Sequence, residues 1–425
     1  MSATLYTYYG DDFTGSTDVL EGLALAGLRS VLFLRPPTDA QRRAFSDCQA
    51  FGIAGDSRSR SPEWMNEHLP AIFALLGSFG APIVHYKTCS TFDSSPQVGS
   101  IGRALEIGLN TLRSTFAPVV VAAPHLRRYV AFGNLFAAAG DAVYRIDRHP
   151  TMSQHPVTPM HEADLRRHLA AQTSLRIGSI ELPSFQGARI AKDLAAQVAS
   201  GAQVVVFDGV ERHDVEETGR LLWQLAGKTP LFAAGSSGLT YGLAAAWRQD
   251  NVTAPRPPEV DRLLVLSGSC SPVTERQIRH ALRIGYEGIA LQGDTPQSCI
   301  AKAIAALRSN GKVILYTALG PLPPGTPAQG DELGRQIGSI AREIIRATGV
   351  RRVVLAGGDT SSHAVSQLGL HALTWIASTQ PGAPLCRAHA DSPELAHLEL
   401  VLKGGQVGTE DFFERVRGQG AGSTD

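Results

Sequence analysis

Cysteine is scarce in this chain: five in 425 residues (Cys48, Cys89, Cys270, Cys299 and Cys386), odd in number, widely spaced and without a Cys-x-x-Cys pair. That excludes a disulfide scaffold and a structural zinc site, and predicts a reduced, cytoplasmic protein. Net charge is missing too. Lysine plus arginine total 39 and aspartate plus glutamate total 39, a balance that argues against nucleic acid or a membrane surface as the main partner. No apolar run approaches the length of a membrane span, and the chain enters a strand almost at once, without the basic region and apolar core of a signal peptide. Two phosphate-loop signatures are also absent. Without Gly-x-x-x-x-Gly-Lys-Ser/Thr the chain is not a P-loop enzyme, and without Gly-x-Gly-x-x-Gly opening a helix, followed by an acid about twenty residues on, it is not a Rossmann dehydrogenase.

What is present is ordinary globular composition, 43% hydrophobic and 18% charged. The length exceeds one ordinary core and predicts two domains. Strand and helix patterns alternate in both halves. The expected fold is therefore α/β, with two domains, each a mostly parallel sheet flanked by helices, and the active site in the cleft between them. Asn251 to Glu259, with three prolines, breaks every pattern. It places one domain at 1–250, a linker at 251–260 and a second domain at 261–425.

The second half repeats one construction three times: an apolar strand, a glycine-rich turn and a helix start. In RRVVLAGGDTSSHAVS the strand Val353 to Ala356 meets Gly357 and Gly358, with Asp359 and Thr360 as expected cap residues. In LLVLSGSCSPVTERQI the turn is Ser267, Gly268 and Ser269, with Ser271 as cap and Pro272 at the first helical position. In LELVLKGGQVGTEDFFERV the turn is Gly404 and Gly405, Thr409 is the expected cap, and Phe412, Phe413 and Val416 form the buried face. Helix starts of this kind aim backbone N–H groups and a partial positive charge at whatever lies above them. Three such ends and one lysine, Lys403, suit a polyphosphate.

The first half begins with a strand from Thr4 to Tyr9 and then GDDFTGSTD, where Thr14 or Ser16 is the expected cap. Asp11 and Asp12 fall at the carboxyl end of that strand, where open α/β sheets bind ligands. Capping needs one such acid, not two. Their adjacency excludes a haloacid dehalogenase phosphatase, whose two aspartates are separated by one residue. Later strand ends carry Asp56, Arg58 and Arg60, then Lys87 with the hydroxyl-rich loop holding Ser90, Thr91, Asp93 and Ser94, then Arg127 and Arg128, which suit a carboxylate. Tyr144 to Met160, with His149 and His155, reads as an irregular surface loop that folds over a ligand. Leu231 to Leu239 ends in another glycine-rich turn, GSSGL.

The set DDFTG (Asp11 to Gly15), KTCSTFDSSP (Lys87 to Pro96), GSSGL (Gly235 to Leu239), SGSCSPVT (Ser267 to Thr274), AGGDTS (Ala356 to Ser361), PGAPLC (Pro381 to Cys386) and KGGQVGTEDFF (Lys403 to Phe413) resembles the four-carbon acid sugar kinases, in order and across essentially the whole chain. The resemblance implies an N-terminal domain for a short sugar acid, a C-terminal domain for ATP, and phosphorylation of a terminal hydroxyl of threonate, erythronate or their 3-oxo forms. It implies Asp11, Asp12 and Lys87 at the sugar-acid end and the turns at Ser267, Gly357 to Thr360 and Gly404 at the nucleotide end. One stretch departs from the pattern: many members carry an Asp-Ser-Thr-Leu-Arg-Gly-Asn loop after the lysine, and here the loop lacks the arginine. A branched acid such as 3-oxo-isoapionate is the alternative.

The residue types support that chemistry on their own account. Phosphoryl transfer needs positioning, charge neutralisation and an acceptor for the hydroxyl proton. Asp12 or Asp11 fits the last role, with Lys87 offsetting their charge and the substrate's. Thr14, Arg58, Ser90, Arg127 and Arg128 complete the expected sugar-acid contacts. Ser267, Ser269, Gly357, Gly358, Asp359, Thr360, Lys403, Gly404 and Gly405 are the expected nucleotide contacts, with Asp359 reaching Mg2+. A non-catalytic sensor of the same two ligands is the rival class, and the acidic pair argues against it, since a pure anion binder has no use for two carboxylates beside its guest. Exposed strand edges allow a homodimer.

Overall fold

A computed structural model describes residues 3–155, 157–227, 229–247, 253–321 and 330–419. In chain order the strands are β1 (Tyr6–Gly10), β2 (Ser30–Phe33), β3 (Ala50–Ala54), β4 (Ile83–Lys87), β5 (Ala117–Val120), β6 (Arg128–Ala131), β7 (Asn134–Ala139), β8 (Ala142–Arg145), β9 (Ile177–Ile180), β10 (Val204–Phe207), β11 (Leu231–Gly235), β12 (Leu263–Ser267), β13 (Glu287–Ala290), β14 (Lys312–Tyr316), β15 (Arg352–Ala356), β16 (Leu370–Ala377), β17 (Leu385–Ala390) and β18 (Glu399–Lys403). They belong to two compact units. The first comprises Met1–Asp11, Gly22–Ser30 and Thr38–Val252, the second Asp12–Glu21, Val31–Pro37 and Thr253–Asp425. Of the proline-rich segment, 253–260 forms neither helix nor strand, and 251–252 lie outside the described residues.

The first unit's sheet runs β3-β1-β4-β11-β5-β10-β9 with every neighbour parallel. Parallel sheets are covered on both faces, so their strands read as unbroken apolar runs, and all four residues of β10 (Val-Val-Val-Phe) are 0% exposed. Helix Pro62–Ser78 supplies part of the cover through Met65, Leu69, Phe73 and Leu76, three to four residues apart and therefore on one face. Each such side chain contributes about 1.5–3 kcal/mol by leaving water.

A second, antiparallel sheet of β6, β7 and β8 stands where the sequence analysis assigns no element, and only the end of β8 reaches the segment expected as loop. Its first turn is Phe132-Gly133, with φ of +50° and +76°. Phenylalanine is no turn signal, and the left-handed region is uncommon for it, so no local cue marks this hairpin. Asp208 holds it from a distance in sequence: the carboxylate accepts from the amides of Phe132 at 2.6 Å and Gly133 at 2.9 Å. The segment Tyr144 to Met160 accordingly starts in β8 and continues through short 3-10 turns at Ile146–Arg148 and Met152–Gln154.

In the second unit the order is β13-β14-β12-β15-β18-β17-β16-β2. The first five strands are parallel, and β17, β16 and β2 add antiparallel. Strand β2 comes from the chain's opening residues and pairs Leu32 with Leu373 and Phe33 with Ala372. Asp12–Glu21 joins the same unit. There Glu21, 1% exposed, accepts from the Ser378 hydroxyl at 2.5 Å and the Gly382 amide at 3.3 Å.

Burial pushes the Glu21 carboxyl up to about 8, against the lowering effect of the Ser378 hydrogen bond. The folded chain then holds a proton that the unfolded chain releases near 4.5. The stabilisation is full below that lower value and is lost as pH rises through the higher one. We expect the melting temperature of Glu21→Gln to fall less than that of the parent chain between pH 5 and 8, and parallel pH profiles would refute the assignment. Among the described residues no helix is long and apolar enough to cross a membrane.

Candidate active site

Five parallel strands of the first unit end flush. The register aligns Ala54, Gly10, Lys87, Gly235 and Val120 across β3, β1, β4, β11 and β5. The loops leaving these strand ends therefore start along one edge. The Asp11 amide donates to the Lys87 carbonyl at 2.9 Å, and the Arg58 amide to the Asp11 carbonyl at 3.2 Å. Arg58 then returns its guanidinium to the Asp11 carboxylate as a two-pronged fork, Nε to Oδ2 at 3.1 Å and Nη2 to Oδ1 at 2.7 Å.

Asp12 goes elsewhere. It heads helix Phe13–Leu25, with Oδ1 accepting from the Gly15 amide at 2.8 Å and Oδ2 from the Thr14 hydroxyl at 2.6 Å. The cap is thus Asp12, not Thr14 or Ser16 as the sequence predicts. A carboxylate one residue nearer the strand reaches the third helical amide, and Thr14 is left to bond the cap itself.

Lys87 is 3% exposed, and among the described residues its ammonium has no hydrogen bond and no ion pair. Burying an ammonium without a partner is expensive. The loop after it is stiff. Phe92 is fully buried at φ +57°, and Asp93 accepts from the Thr91 hydroxyl at 2.5 Å and from that of Thr158 at 3.5 Å, tying the loop to the 149–160 segment.

Cys89, in the sequence only one of five thiols, lies at the centre of the local charge. Burial pushes the thiol up, Arg58 and Lys87 pull it down, and Asp93 adds to the upward push. Burial also lowers the Arg128 guanidinium, with the Cys89 group opposing that shift, and Arg128 Nε is sealed from solvent without a partner. Its Nη1 bonds the Leu126 carbonyl at 2.9 Å. Arg127 is instead exposed and engaged by the β7–β8 turn, donating to the carbonyls of Gly140 at 2.7 Å and Asp141 at 3.2 Å. Asp56 and Arg60 pair with each other in the loop after β3. Ser90 is half-buried in the Lys87 loop.

The second unit also ends its strands flush, with Ser267 beside Ala356 and Tyr316, and Ala356 beside Lys403. Backbone bonds lace the turns together: Gly268 N–H to Ala356 O at 3.0 Å, Gly357 N–H to Lys403 O at 2.9 Å and Thr317 N–H to Ser267 O at 3.0 Å. Gly357 sits at φ +118°, and a Cβ on it would lie 3.2 Å from the Ser269 amide nitrogen. A Cβ on Gly405 would lie 2.9 Å from Ser269 Oγ. These turns are packed on one another, whereas among the described residues nothing lies within 4 Å of a Cβ placed on Gly358.

Helix Gly358–Gln367 has Gly357 in the cap position and no side-chain cap. Asp359 and Thr360 are therefore inside the first turn rather than capping it, because the two glycines let the chain turn helical two residues earlier than a cap at Asp359 requires. Their side chains lie outside the described residues. Ser271 caps helix Pro272–Arg283 through the Val273 amide, as the sequence predicts. Thr409 does not cap. Helix Phe412–Arg417 starts after Asp411, and the Thr409 hydroxyl donates to the Asp411 carboxylate at 2.5 Å, though Phe412, Phe413 and Val416 are buried as expected.

Lys403 is 0% exposed, and its ammonium donates to Thr274 Oγ1 at 3.0 Å and to the carbonyls of Gly404 at 3.0 Å and Gly405 at 3.5 Å. Burial lowers it to about 7. Its donors are thus directed at the turn itself. A cavity of about 360 Å³ lies against helices Pro62–Ser78 and Ile101–Leu112, where Arg103 already bonds Asn66 and Glu106, and it includes none of the strand-end residues.

Residues 6–243 match the family model of a sugar-binding N-terminal domain, and residues 264–413 that of a nucleotide-binding C-terminal domain. Among curated relatives, the 3-oxo-isoapionate kinase of Paraburkholderia graminis is 43% identical, with 97% of this chain and 94% of that one aligned. The 3-oxo-tetronate kinase of Pseudomonas savastanoi pv. phaseolicola is 32% identical over 97% and 96% of the two chains. Among solved structures, a Salmonella typhimurium LT2 protein that carries a tRNA synthase name superposes with a TM-score of 0.77 at 25% identity, covering 97% of this chain and 98% of that one. A Haemophilus influenzae protein superposes with a TM-score of 0.71 at 26% identity, covering 97% and 99%.

Proposed function

The chain belongs to the four-carbon acid sugar kinase family, and we propose that it is an ATP-dependent kinase that phosphorylates a terminal hydroxyl of a short sugar acid such as 3-oxo-tetronate, threonate or erythronate. The observation that carries the reading is Lys87, an ammonium 3% exposed and unpartnered among the described residues, in register with the Asp11 strand end. An anionic substrate meets that cation, and a carboxylate at the same strand end receives its hydroxyl. A specific observation favours the branched acid 3-oxo-isoapionate within this class: identity to the kinase of that name is 43%, against 32% to a 3-oxo-tetronate kinase.

Both oxygens of Asp11 are taken by one guanidinium, so Asp11 with Arg58 is assigned a positioning role. Asp12 accepts from two neutral donors of its own helix, which fix the direction of its carboxylate. Asp12 therefore orients the attacking hydroxyl and takes its proton as the new O–P bond forms and the bond to the departing ADP breaks. In the second unit the hydroxyls of Ser267 and Ser269 and the first amides of helix Gly358–Gln367 form a donor set for phosphate oxygens, with the open face of Gly358 as the approach. That set does not favour a metal by itself; Mg2+ bound to the nucleotide supplies charge neutralisation, with Asp359 the carboxylate within these turns. Lys403 shapes the Gly404-Gly405 turn from beneath. By the same reading the enzyme works in the cytoplasm on small molecules, with no nucleic acid and no membrane among its partners. It pairs as a homodimer through an exposed edge such as β8.

Gly358→Val adds bulk where, among the described residues, nothing lies within 4 Å of a Cβ, so the fold is retained while a phosphate is kept away. The expected result is ATP affinity at least about tenfold weaker by calorimetry, equivalent to about 1.4 kcal/mol. An unchanged titration would remove the nucleotide from this turn. The function itself is tested by coupled ADP release over 3-oxo-tetronate, threonate, erythronate and 3-oxo-isoapionate. Turnover of at least one is expected, and binding of both ligands without ADP release from any would favour a sensor.

A further inference from the structure

Helix Ser237–Trp247 leaves β11 through Gly235 and Ser236, and its first turn is pressed against the chain just past β5. A Cβ on Gly235, at φ +145°, would lie 2.0 Å from the Val120 carbonyl oxygen, and one on Gly238 would lie 1.8 Å from that of Ala122. The Ser236 hydroxyl is used within the turn, donating to the Val121 carbonyl at 2.8 Å and accepting from the Gly238 amide at 3.0 Å. Ser237 differs. It is 1% exposed, and its hydroxyl has no partner among the described residues.

Thr88 repeats this condition on the adjoining strand. It is 0% exposed with an unpartnered hydroxyl, and its amide donates to the Gly235 carbonyl at 2.7 Å. Lys87, directly before it, is the register partner of Gly235. One end of one strand pair thus gathers two orphan hydroxyls and the Lys87 ammonium at the head of an eleven-residue helix. Buried polar groups are normally bonded, and alanine and valine would fill these two places without leaving an oxygen unmet. Every member of the set donates, or turns to donate by one χ1 rotation, and the helix start adds positive potential. The complement is a group that only accepts through two oxygens and carries negative charge, which describes a carboxylate.

We propose that Thr88, Ser237 and Lys87, at the head of helix Ser237–Trp247, hold the carboxylate of the sugar acid. This anchors the end of the substrate opposite the hydroxyl that Asp12 receives, and it makes Thr88 and Ser237 the residues that distinguish an acid from the corresponding neutral polyol. The proposal rests on the sugar-acid reading above. Its test is chosen to fail separately from that reading.

Calorimetry on the full chain with threonate, its uncharged counterpart threitol, and inorganic phosphate provides the test. Threonate is expected to bind at least about tenfold more tightly than threitol, with phosphate binding no better than threitol. Ser237→Ala and Thr88→Val should each weaken threonate about fivefold to tenfold and leave the threitol and ATP titrations in place; these last two controls separate lost recognition from a damaged fold. Variants with parental threonate affinity, a parent that does not prefer threonate over threitol, or a site that takes phosphate as well as threonate would each overturn the assignment. Threonate held in this way, with no ADP released from any acid, would instead sink the kinase reading and leave the carboxylate subsite standing.

Discussion

Asp12→Asn is expected to lower kcat by about 10²–10⁴-fold, the usual contribution of a general base, while ATP affinity and thermal stability stay close to those of the parent chain. The substitution is informative because the proposed base is also a helix cap, and asparagine separates the two duties. As the cap of helix Phe13–Leu25 it accepts from the Gly15 amide and the Thr14 hydroxyl. Asparagine caps about as well as aspartate, so that duty survives. As the acceptor of a hydroxyl proton it needs a carboxylate, and that duty does not survive. Steady-state kinetics with a melting curve reads both. Near-parental kcat would return Asp12 to capping alone, and a large loss of stability would show that the side chain's charge, not its shape, holds the helix.

Arg352→Met should lower stability by about 3–5 kcal/mol, roughly 6–20 °C in melting temperature. Arg352 is the largest wholly buried side chain, at 0% exposure on the first position of β15. Its guanidinium reaches Glu399 of β18 through Nε at 2.8 Å and Nη2 at 2.6 Å. Nη1 donates to the carbonyls of Pro258 at 2.7 Å and Val416 at 2.8 Å, fastening the proline-rich segment and the last helix to the sheet. Removing it leaves a carboxylate and two carbonyls without their donor, and that desolvation dominates the cost. The double substitution Arg352→Met/Glu399→Leu should recover part of the loss, since a buried pair exchanged whole for apolar chains is often neutral. A single variant that melts with the parent chain would contradict this account of the second unit.

The sequence was most legible where the signal is local. The strand, glycine turn and helix start at Ser267, Gly357 and Gly404 announce themselves through apolar runs and through turn chemistry that needs no tertiary partner. Ser271 and Pro272 behave as cap and first helical residue for the same reason. The adjacent acids at the first strand end were equally visible, but their division of labour was not, because Arg58 claims Asp11 across a gap of 47 residues.

What escaped was set by long-range contact. The β6–β7 turn depends on Asp208, which lies beyond four further strands in the chain, and no dipeptide rule covers Phe132-Gly133. The antiparallel pairing of β2 with β16 leaves no trace in either strand's pattern. Lys403 read as a lysine facing phosphate, yet it is turned under its own loop, a fate fixed by Thr274 and the packing of Phe412 rather than by its neighbours in sequence. The orphan hydroxyls of Thr88 and Ser237 could not be read at all, because being unpartnered is a property of the surroundings.

A crystal structure of the full chain with a non-hydrolysable ATP analogue and a short sugar acid tests the central claim most directly. The triphosphate should lie over Gly357, Gly358 and the Gly404-Gly405 turn, and the acid should lie against Lys87 and the Asp11 strand end. A triphosphate lodged against Lys87 and Asp11 instead would contradict it.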